Sequence, residues 1–150
     1  PMEITTDSIK ELREMTGAGV MDCKRALDEA RGDFDAAVKI IHEKGAAKVE
    51  KRADRETGAG LVQTYTHNER IGVVLVLRSE TDFVARSEPF RKLAHDLAMH
   101  IAAMNPKDVD ELLAQPFVKD SSLTVKEAMS RVIAQLGENI KLGSFSRAEV

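Results

Sequence analysis

The run IGVVLVL, residues 71–77, is apolar at nearly every position and is rich in β-branched side chains. A strand with one solvated face alternates apolar and polar residues, and this run does not alternate. We therefore interpret residues 71–77 as a strand that is either covered on both faces or central in a sheet. Other strands or helices of the chain are expected to flank it.

The surrounding sequence contains segments that suit this requirement. Residues 61–67, LVQTYTH, are also rich in β-branched side chains and are separated from the run by the short segment 68–70. The two segments are therefore predicted to form an antiparallel hairpin. The tail, residues 138–150, alternates weakly and is the candidate third strand.

Two amphipathic helices are predicted to back this sheet. The first is capped by Ser87, stops at Asn105–Pro106, and has an apolar face made of Phe90, Leu93, Ala94, Leu97, Ala98, Ile101 and Ala102. The second, within residues 124–137, has an inward face made of Val125, Ala128, Met129, Val132, Ile133 and Leu136. A short helix at 107–114 and a loop at 115–120 are expected between them. The predicted fold class is α+β, with a small antiparallel sheet backed by helices.

The N-terminal segment is predicted to form three short helices. Thr5 is a suitable N-cap for the first helix, which ends at the glycine-containing turn Thr16–Gly19. The second helix has one apolar face, made of Val20, Cys23, Leu27 and Ala30. The third begins after the N-cap Asp33 and is predicted to end at Gly45. These helices make only a small core, which is typical of a module that docks on something else.

The charge pattern suggests where the segments of the chain begin and end. Residues 46–57, AAKVEKRADRET, are mostly charged and lack a wide apolar face, which favours a solvated helix over a binding patch. We therefore predict a three-helix docking domain at 1–45, a charged linker helix at 46–59 and an α+β core domain at 60–150.

Composition and charge restrict the class of protein. A chain with 43% hydrophobic and 31% charged residues is typical of a soluble globular protein. Its apolar runs are far too short for a bilayer span, and no charged region followed by an apolar stretch predicts a secretory signal. The single cysteine, Cys23, permits no internal disulfide and fits a reducing cytoplasm. A net charge of −3 argues against general nucleic-acid binding.

No residue pattern indicates a catalytic or metal site. The glycines ahead of Lys24 lack the spacing of a phosphate-binding loop and do not follow a predicted strand. None of the histidines has metal-ligand spacing, and no G-x-S-x-G elbow is present. His95 and His100 are expected at the surface, whereas His67 should point outward beside the hairpin turn. We predict no catalytic residue, cofactor or metal, and a hydrolase using His67 or His95 is the weakest hypothesis.

The connection SETDFVARSEPF, residues 79–90, places an acidic and an aromatic side chain between a strand and a helix. Thr81 is predicted to cap a single helical turn that runs through Arg86. In one interpretation Phe83 packs under the sheet and Asp82 caps a turn. In the other the ring is displayed to a partner, because aromatic side chains are common interface hot spots. The residue pattern alone leaves both interpretations open.

Five stretches of the chain occur in the same order in a known family. They are LREMTGAGVMDCKRAL (12–27), RIGVVLVLRSETDFVARSEPF (70–90), AMHIAAMNP (98–106), QPFVKD (115–120) and LGENI (136–140). With them the chain resembles the bacterial elongation factor Ts family over almost its whole length. The resemblance implies a guanine-nucleotide exchange factor for elongation factor Tu that performs no bond chemistry. It also implies an N-terminal ubiquitin-associated-like domain.

The resemblance implies roles for individual residues. Asp82 and Phe83, flanked by Thr81 and Val84, match the pair that inserts beside the nucleotide-binding domain of the Tu partner. In the family this pair disturbs the region that holds Mg²⁺ and the phosphates. The residues matching the docking surface of the N-terminal domain are Gly17, Ala18, Gly19, Val20, Met21 and Lys24. Val20 stands where the family commonly has Met, and His67 matches a histidine that contacts the same partner domain.

The resemblance also implies an oligomeric state. Between 98–106 and 115–120 the chain has no room for the helical hairpin of longer members, and it has room for one core copy. Single-core relatives form homodimers that bind two Tu molecules, so a homodimer is expected. Gly143–Ser144 replace two arginines that relatives usually carry. The alternative to an exchange factor is a dimeric interaction module without exchange activity.

Overall fold

The computed structural model describes residues 3–150. The chain divides into two units, one ending at Lys51 and the other spanning Arg52–Val150. In chain order the elements are α1 Thr6–Thr16, α2 Val20–Glu29, α3 Phe34–Arg52, β1 Ala59–His67, β2 Ile71–Ser79, α4 Asp82–Ala85, α5 Glu88–Met104, α6 Val109–Ala114, β3 Pro116–Phe117, β4 Asp120–Thr124, α7 Val125–Leu136 and β5 Ile140–Glu149. The predicted α+β class is confirmed.

The first unit consists of helices α1 and α2 and nearly all of α3. Thr5 caps α1 as predicted, because its side chain accepts from the Ser8 N–H at 3.1 Å and Ser8 Oγ accepts from the Thr5 N–H at 2.8 Å. Gly17, at φ 71°, ends α1 in the left-handed region that glycine tolerates best. Buried side chains from all three helices form the core: Leu12, Cys23, Ala26, Leu27 and Ala37.

Two details of this unit differ from the sequence prediction. Helix α3 continues through Gly45 as far as Arg52, so the predicted end at Gly45 is wrong. A helix-interior glycine costs only about 1 kcal/mol relative to alanine, and the following residues, AAKVEK, are mostly good helix formers. Val20 was assigned to the inward face of α2, but its side chain is 47% exposed.

The second unit contains a three-stranded antiparallel sheet in the order β1-β2-β5. The apolar run therefore lies in the central strand, as one of the two predicted alternatives requires. Val73, Leu75 and Leu77 are buried on the face that α5 covers. The opposite face is open, with Val74 46% exposed and Val62 64% exposed. The weakly alternating tail forms β5, so the predicted third strand is confirmed.

Strand β5 contains a bulge. Leu75 pairs with Phe145 and Leu77 pairs with Leu142, so Gly143 and Ser144 both lie opposite Val76. A Cβ on Gly143 would stand 3.0 Å from Cβ and Cγ1 of Val76. This close approach gives a physical reason for glycine at position 143.

The helices of the second unit match their predicted faces. Every apolar residue predicted for the α5 face is buried, and α5 packs on β1 and β2. Helix α7 begins with a capping box in which Thr124 and Glu127 satisfy each other's backbone N–H groups. The short helix α6 is also present, with the Asp108 side chain as its N-cap.

The segment predicted as a loop at 115–120 instead begins a small hairpin, in which β3 pairs with β4. The side chain that holds this hairpin is His100, which is fully buried rather than at the surface. Its Nδ1 accepts from the Val118 N–H at 3.1 Å, and Nε2 donates to Oε1 of Gln115 at 2.8 Å. Burial lowers the pKa of His100, because the charged ring would be held away from the water that stabilises it. The surface prediction for His100 is wrong.

Candidate functional site

Phe83 is the aromatic residue whose exposure the sequence left open, and in the structure it is 86% exposed. It occupies the second position of α4, the single helical turn between β2 and α5. The interpretation that Phe83 packs under the sheet is therefore wrong. An exposed large ring on a short, well-defined turn is the geometry expected of a residue that contacts a partner.

The turn that carries Phe83 is anchored on its other side. Val84 and Ala85 are each only 6% exposed, so they fasten α4 to the unit while Asp82 and Phe83 stay at the surface. Thr81 caps the turn as predicted, with its Oγ1 accepting from the Val84 N–H at 3.3 Å. Val84 was placed among the partner-contacting residues, but its buried side chain supports the turn rather than extending from it.

Thr81 is also bonded to a residue far away in the sequence. Its backbone N–H donates to Oε1 of Glu138 at 3.0 Å, and its hydroxyl donates to Oε2 at 2.7 Å. Glu138 and its neighbour Asn139 lie in the junction between α7 and β5. In the sequence, the LGENI stretch stands out only through the family resemblance, and no local pattern indicates its link to the aromatic turn.

The N-terminal candidate surface lies on the first unit, around the turn between α1 and α2. Met21 is 57% exposed and Met15 is 65% exposed, which with Val20 gives three accessible apolar side chains there. Gly17, Gly19 and Lys24 are also exposed, whereas Ala18 is half-buried and packs against the core.

The polar groups beside this surface are ordered by ion pairs. Asp22 accepts a hydrogen bond from Arg25 at 2.8 Å and lies 3.8 Å from the ammonium group of Lys48. The hydrogen bond from Arg25 is the main reason that the pKa of Asp22 lies below its ordinary value. The apolar side chains thus lie next to a carboxylate that stays ionised near pH 7, and Arg25 and Lys48 balance its negative charge.

His67 is exposed at the end of β1, as predicted. Its Nδ1 forms a hydrogen bond of 3.0 Å with the hydroxyl of Tyr65, and the two rings stack with centroids 6.2 Å apart. The Tyr65 ring also lies in a T-shaped arrangement with the ring of His95, with the two centroids 5.9 Å apart. Tyr65 is thus part of the surroundings of His67, although nothing in the sequence marked Tyr65 as a candidate.

The structure does not bring all the predicted site residues of the second unit together. His67 lies at the turn of the β1–β2 hairpin, while Asp82 and Phe83 follow the other end of β2. Strands of nine residues span about 25–30 Å at roughly 3.3 Å per residue. A partner that contacts both ends must therefore cover the length of the hairpin.

Two kinds of feature are absent from the part of the chain that the structure describes. Among residues 3–150 no cluster of three or more His, Cys, Asp or Glu side chains could hold a metal ion. Over the same range no helix has both the length and the apolar character needed to cross a membrane. The described surfaces instead present exposed apolar side chains next to ordered polar groups.

Comparison with known proteins gives a consistent result. A family model described as Elongation factor TS matches residues 80–150. A curated protein named Elongation factor Ts from Alkaliphilus oremlandii is 40% identical over 194 aligned residues, covering 99% of this chain and 90% of that protein. Its namesake from Fervidobacterium nodosum is 40% identical over 195 residues, covering 99% of each chain. The Elongation factor Ts of Herpetosiphon aurantiacus is 37% identical over 195 residues, covering 99% of this chain and 98% of that protein.

These alignments also show a difference in length. An alignment of 194 residues exceeds the 150 residues of this chain, so the Alkaliphilus relative contains sequence that has no counterpart here. Apart from that sequence, the likeness extends over both units of the structure. From identity and coverage together, this chain belongs to the elongation factor Ts family.

Proposed function

We propose that this protein is a cytoplasmic guanine-nucleotide exchange factor that promotes GDP release from elongation factor Tu during translation elongation. It acts through a protein interface and catalyses no bond chemistry. The observation that carries the proposal is the exposure of Phe83 on an anchored, capped turn. Membership of the elongation factor Ts family supports the choice of elongation factor Tu as the partner, and the geometry of α4 gives a means of acting on it.

The proposed mechanism is displacement. Asp82 and Phe83 insert beside the partner's nucleotide-binding domain and shift the groups that surround Mg²⁺ and the phosphates. Mg²⁺ requires nearly ideal octahedral coordination at short distances, so a small shift of its surroundings weakens its binding sharply. By thermodynamic linkage, the exchange factor and GDP then weaken each other's binding to Tu by the same factor.

The N-terminal unit supplies affinity in this proposal. The exposed side chains of Val20 and Met21, with Lys24 beside them, form an apolar surface with a positive charge at its border. Such a surface suits docking on a folded partner, because apolar contacts supply affinity and charges supply orientation. His67, at the far end of the hairpin, is a second contact with the nucleotide-binding domain.

We further propose that the protein is a homodimer and that its open sheet face forms the contact. Val62 and Val74 are exposed on this face, and the half-buried Val76 lies between them. Burying apolar surface of this kind contributes about 25 cal/mol per Å² removed from water. A second copy presents the same face, which is the self-complementary arrangement that a two-fold dimer requires.

The test is release of a fluorescent GDP analogue from elongation factor Tu, with the native chain and with Phe83→Ala. We expect the native chain to accelerate release and Phe83→Ala to lose most of that acceleration while its circular dichroism spectrum is unchanged. Val118→Ala is the matched control, because Val118 is also an exposed apolar side chain, at 46%, but lies in the β3–β4 hairpin.

Other outcomes would refute parts of the proposal. Full acceleration by Phe83→Ala would remove the ring from the mechanism. Tu binding by the folded native chain without faster GDP release would leave an interaction module in place of an exchange factor.

A further inference from the structure

We propose that Glu138 is a positioning residue for the exchange surface, because its carboxylate holds Thr81 and thereby sets the direction in which α4 presents Asp82 and Phe83. The proposal rests on the exchange function proposed above and extends it to a residue outside the Asp82–Phe83 pair that is proposed to insert beside the nucleotide-binding domain. Glu138 acts through Thr81 alone.

Both oxygens of the Glu138 carboxylate are bonded to this one residue. Oε1 accepts from the Thr81 backbone N–H at 3.0 Å and Oε2 accepts from the Thr81 hydroxyl at 2.7 Å. Hydrogen bonds to an ionised acceptor are stronger than neutral ones, and a two-point contact also restricts orientation. Since Thr81 is the N-cap, its N–H has no partner within α4, and Glu138 supplies that partner.

The same contact orients the cap. When the Thr81 hydroxyl donates its proton to Glu138, its oxygen lone pairs are available to the Val84 N–H, which lies 3.3 Å away. A helix of only four residues has few hydrogen bonds of its own and is unstable in isolation. The geometry of α4 therefore depends strongly on what holds its first residue.

Glu138 is itself fixed by its surroundings. The next residue, Asn139, is 4% exposed, and its backbone N–H donates to Oε1 of Glu80 at 2.8 Å. The Asn139 side-chain amide donates to the carbonyl oxygens of Arg55, at 2.8 Å, and Ala53, at 3.3 Å. Glu80 also forms an ion pair with Arg55 at 3.6 Å.

These bonds form a reciprocal arrangement between two pairs of consecutive residues. Glu138 reaches back to the backbone of Thr81, while Glu80 reaches across to the backbone of Asn139. The segment before α4 and the junction between α7 and β5 are therefore locked to each other. We name this arrangement the acidic clasp, formed by Glu80, Thr81, Glu138 and Asn139.

A loss of the Glu138 side chain should free α4 without covering the ring. Phe83 would stay exposed and the N-terminal docking surface would be untouched, so binding to Tu should survive. The population of α4 in the orientation that suits insertion would fall. The structure therefore predicts a lower maximum rate of GDP release at nearly unchanged half-saturating concentration.

The first test needs no partner. Amide hydrogen exchange is measured by NMR in the full chain for the native protein, Glu138→Ala and Glu88→Ala. In Glu138→Ala we expect the amides of Thr81 and Val84 to exchange roughly three- to ten-fold faster, while that of Leu75 in the central strand is unchanged. Glu88→Ala removes the same charge from the first turn of α5, outside the clasp, and should change none of these rates. Native rates at Thr81 and Val84 in Glu138→Ala would overturn the proposal.

The second test uses GDP release from Tu over a range of exchange-factor concentrations. Glu138→Ala and Thr81→Val should each lower the plateau rate roughly three- to ten-fold, with less than about a two-fold change in the half-saturating concentration. The loss in the double variant should be smaller than the product of the two single losses, because both changes remove the bond between the Thr81 hydroxyl and the Glu138 carboxylate. Thr81→Ser retains the N–H and the hydroxyl and should restore the native plateau.

Additive effects of the two substitutions, or an unchanged plateau in Glu138→Ala, would overturn the positioning role. If the native chain itself fails to accelerate GDP release, the exchange function fails, and with it the role of Glu138 in exchange. The amide measurement distinguishes that outcome, since it reports whether Glu138 fixes α4 in the absence of Tu.

Discussion

Gly60 in β1 lies so close to β2 that a Cβ at this position would stand 2.3 Å from the carbonyl oxygen of Leu77. Its φ of +148° is also one that other residues rarely adopt. We expect Gly60→Ala to lower the free energy of unfolding by at least about 2 kcal/mol, through strain and loss of strand pairing. Urea unfolding followed by circular dichroism measures this change.

Gly72 in β2 provides the matched control, because a Cβ there would have no atom within 4 Å. Gly72→Ala should change the free energy of unfolding by less than about 1 kcal/mol. If the two alanine substitutions proved equally harmful, the close approach at Gly60 would not be what makes that glycine necessary.

His100 should make stability depend on pH in a defined range. Its pKa is lowered in the folded protein from the ordinary value of 6.5, so the unfolded chain binds the proton first as the pH falls. The stabilisation is complete above about pH 6.5 and is lost as the pH falls toward the lowered pKa of the folded state. Between pH 7.5 and 5.5 the loss should be at most about 1.4 kcal/mol.

The measurement is urea unfolding at both pH values for the native chain, His100→Gln and His95→Gln. His100→Gln should be less stable than the native chain but should lack most of the pH-dependent loss of stability. His95→Gln changes an exposed ring and should retain that loss. Carboxylates with lowered pKa, such as Asp22 and Glu127, lose their contribution only below this range. An equal slope in all three proteins would assign the dependence to groups other than His100.

Substitutions at Leu27 and Met21 should distinguish residues that stabilise the first unit from residues that bind Tu. Leu27 is fully buried in its core, so Leu27→Ala should cost about 2–5 kcal/mol of stability. Met21 is 57% exposed, so Met21→Ala should change stability by less than about 0.5 kcal/mol but weaken Tu binding roughly ten-fold. Calorimetric titration of Tu against each folded variant measures the affinity, and native affinity of Met21→Ala would remove it from the docking surface.

Val74 should report on the proposed dimer. Val74→Lys places a charge on the open sheet face, and its burial on association would raise the dimer dissociation constant about 100-fold or more. Sedimentation velocity at micromolar concentration should show a dimer for the native chain and for Val118→Lys, and a monomer for Val74→Lys. A native chain that sediments only as monomer would refute the dimer.

Periodic segments of the sequence predicted their structure well. The uninterrupted apolar run became the central strand, and the apolar positions of α5 became its buried face, because burial acts on every residue of such an element at once. The caps at Thr5 and Thr81 were also predictable, since a hydroxyl before a helix satisfies a local backbone donor.

Features that depend on distant partners were not predictable. His100 is buried because β3 and β4 fold over it, and no local pattern indicates that hairpin. The exposure of Phe83 was left open, since a single aromatic residue in a short connection has no periodicity. The bond between Thr81 and Glu138 joins residues 57 positions apart and follows only from the tertiary structure.

The bulge at Gly143 and Ser144 has a consequence for strand-edge association. β5 borders the sheet, and a regular border strand offers a row of free backbone groups onto which another molecule can add a strand. At the bulge, Gly143 and Ser144 lie opposite the single residue Val76, which increases the local twist of β5 and interrupts that row. The border is therefore a poor template for open-ended polymer growth. An irregular border beside an open apolar face thus favours a closed pair of molecules over a growing fibre.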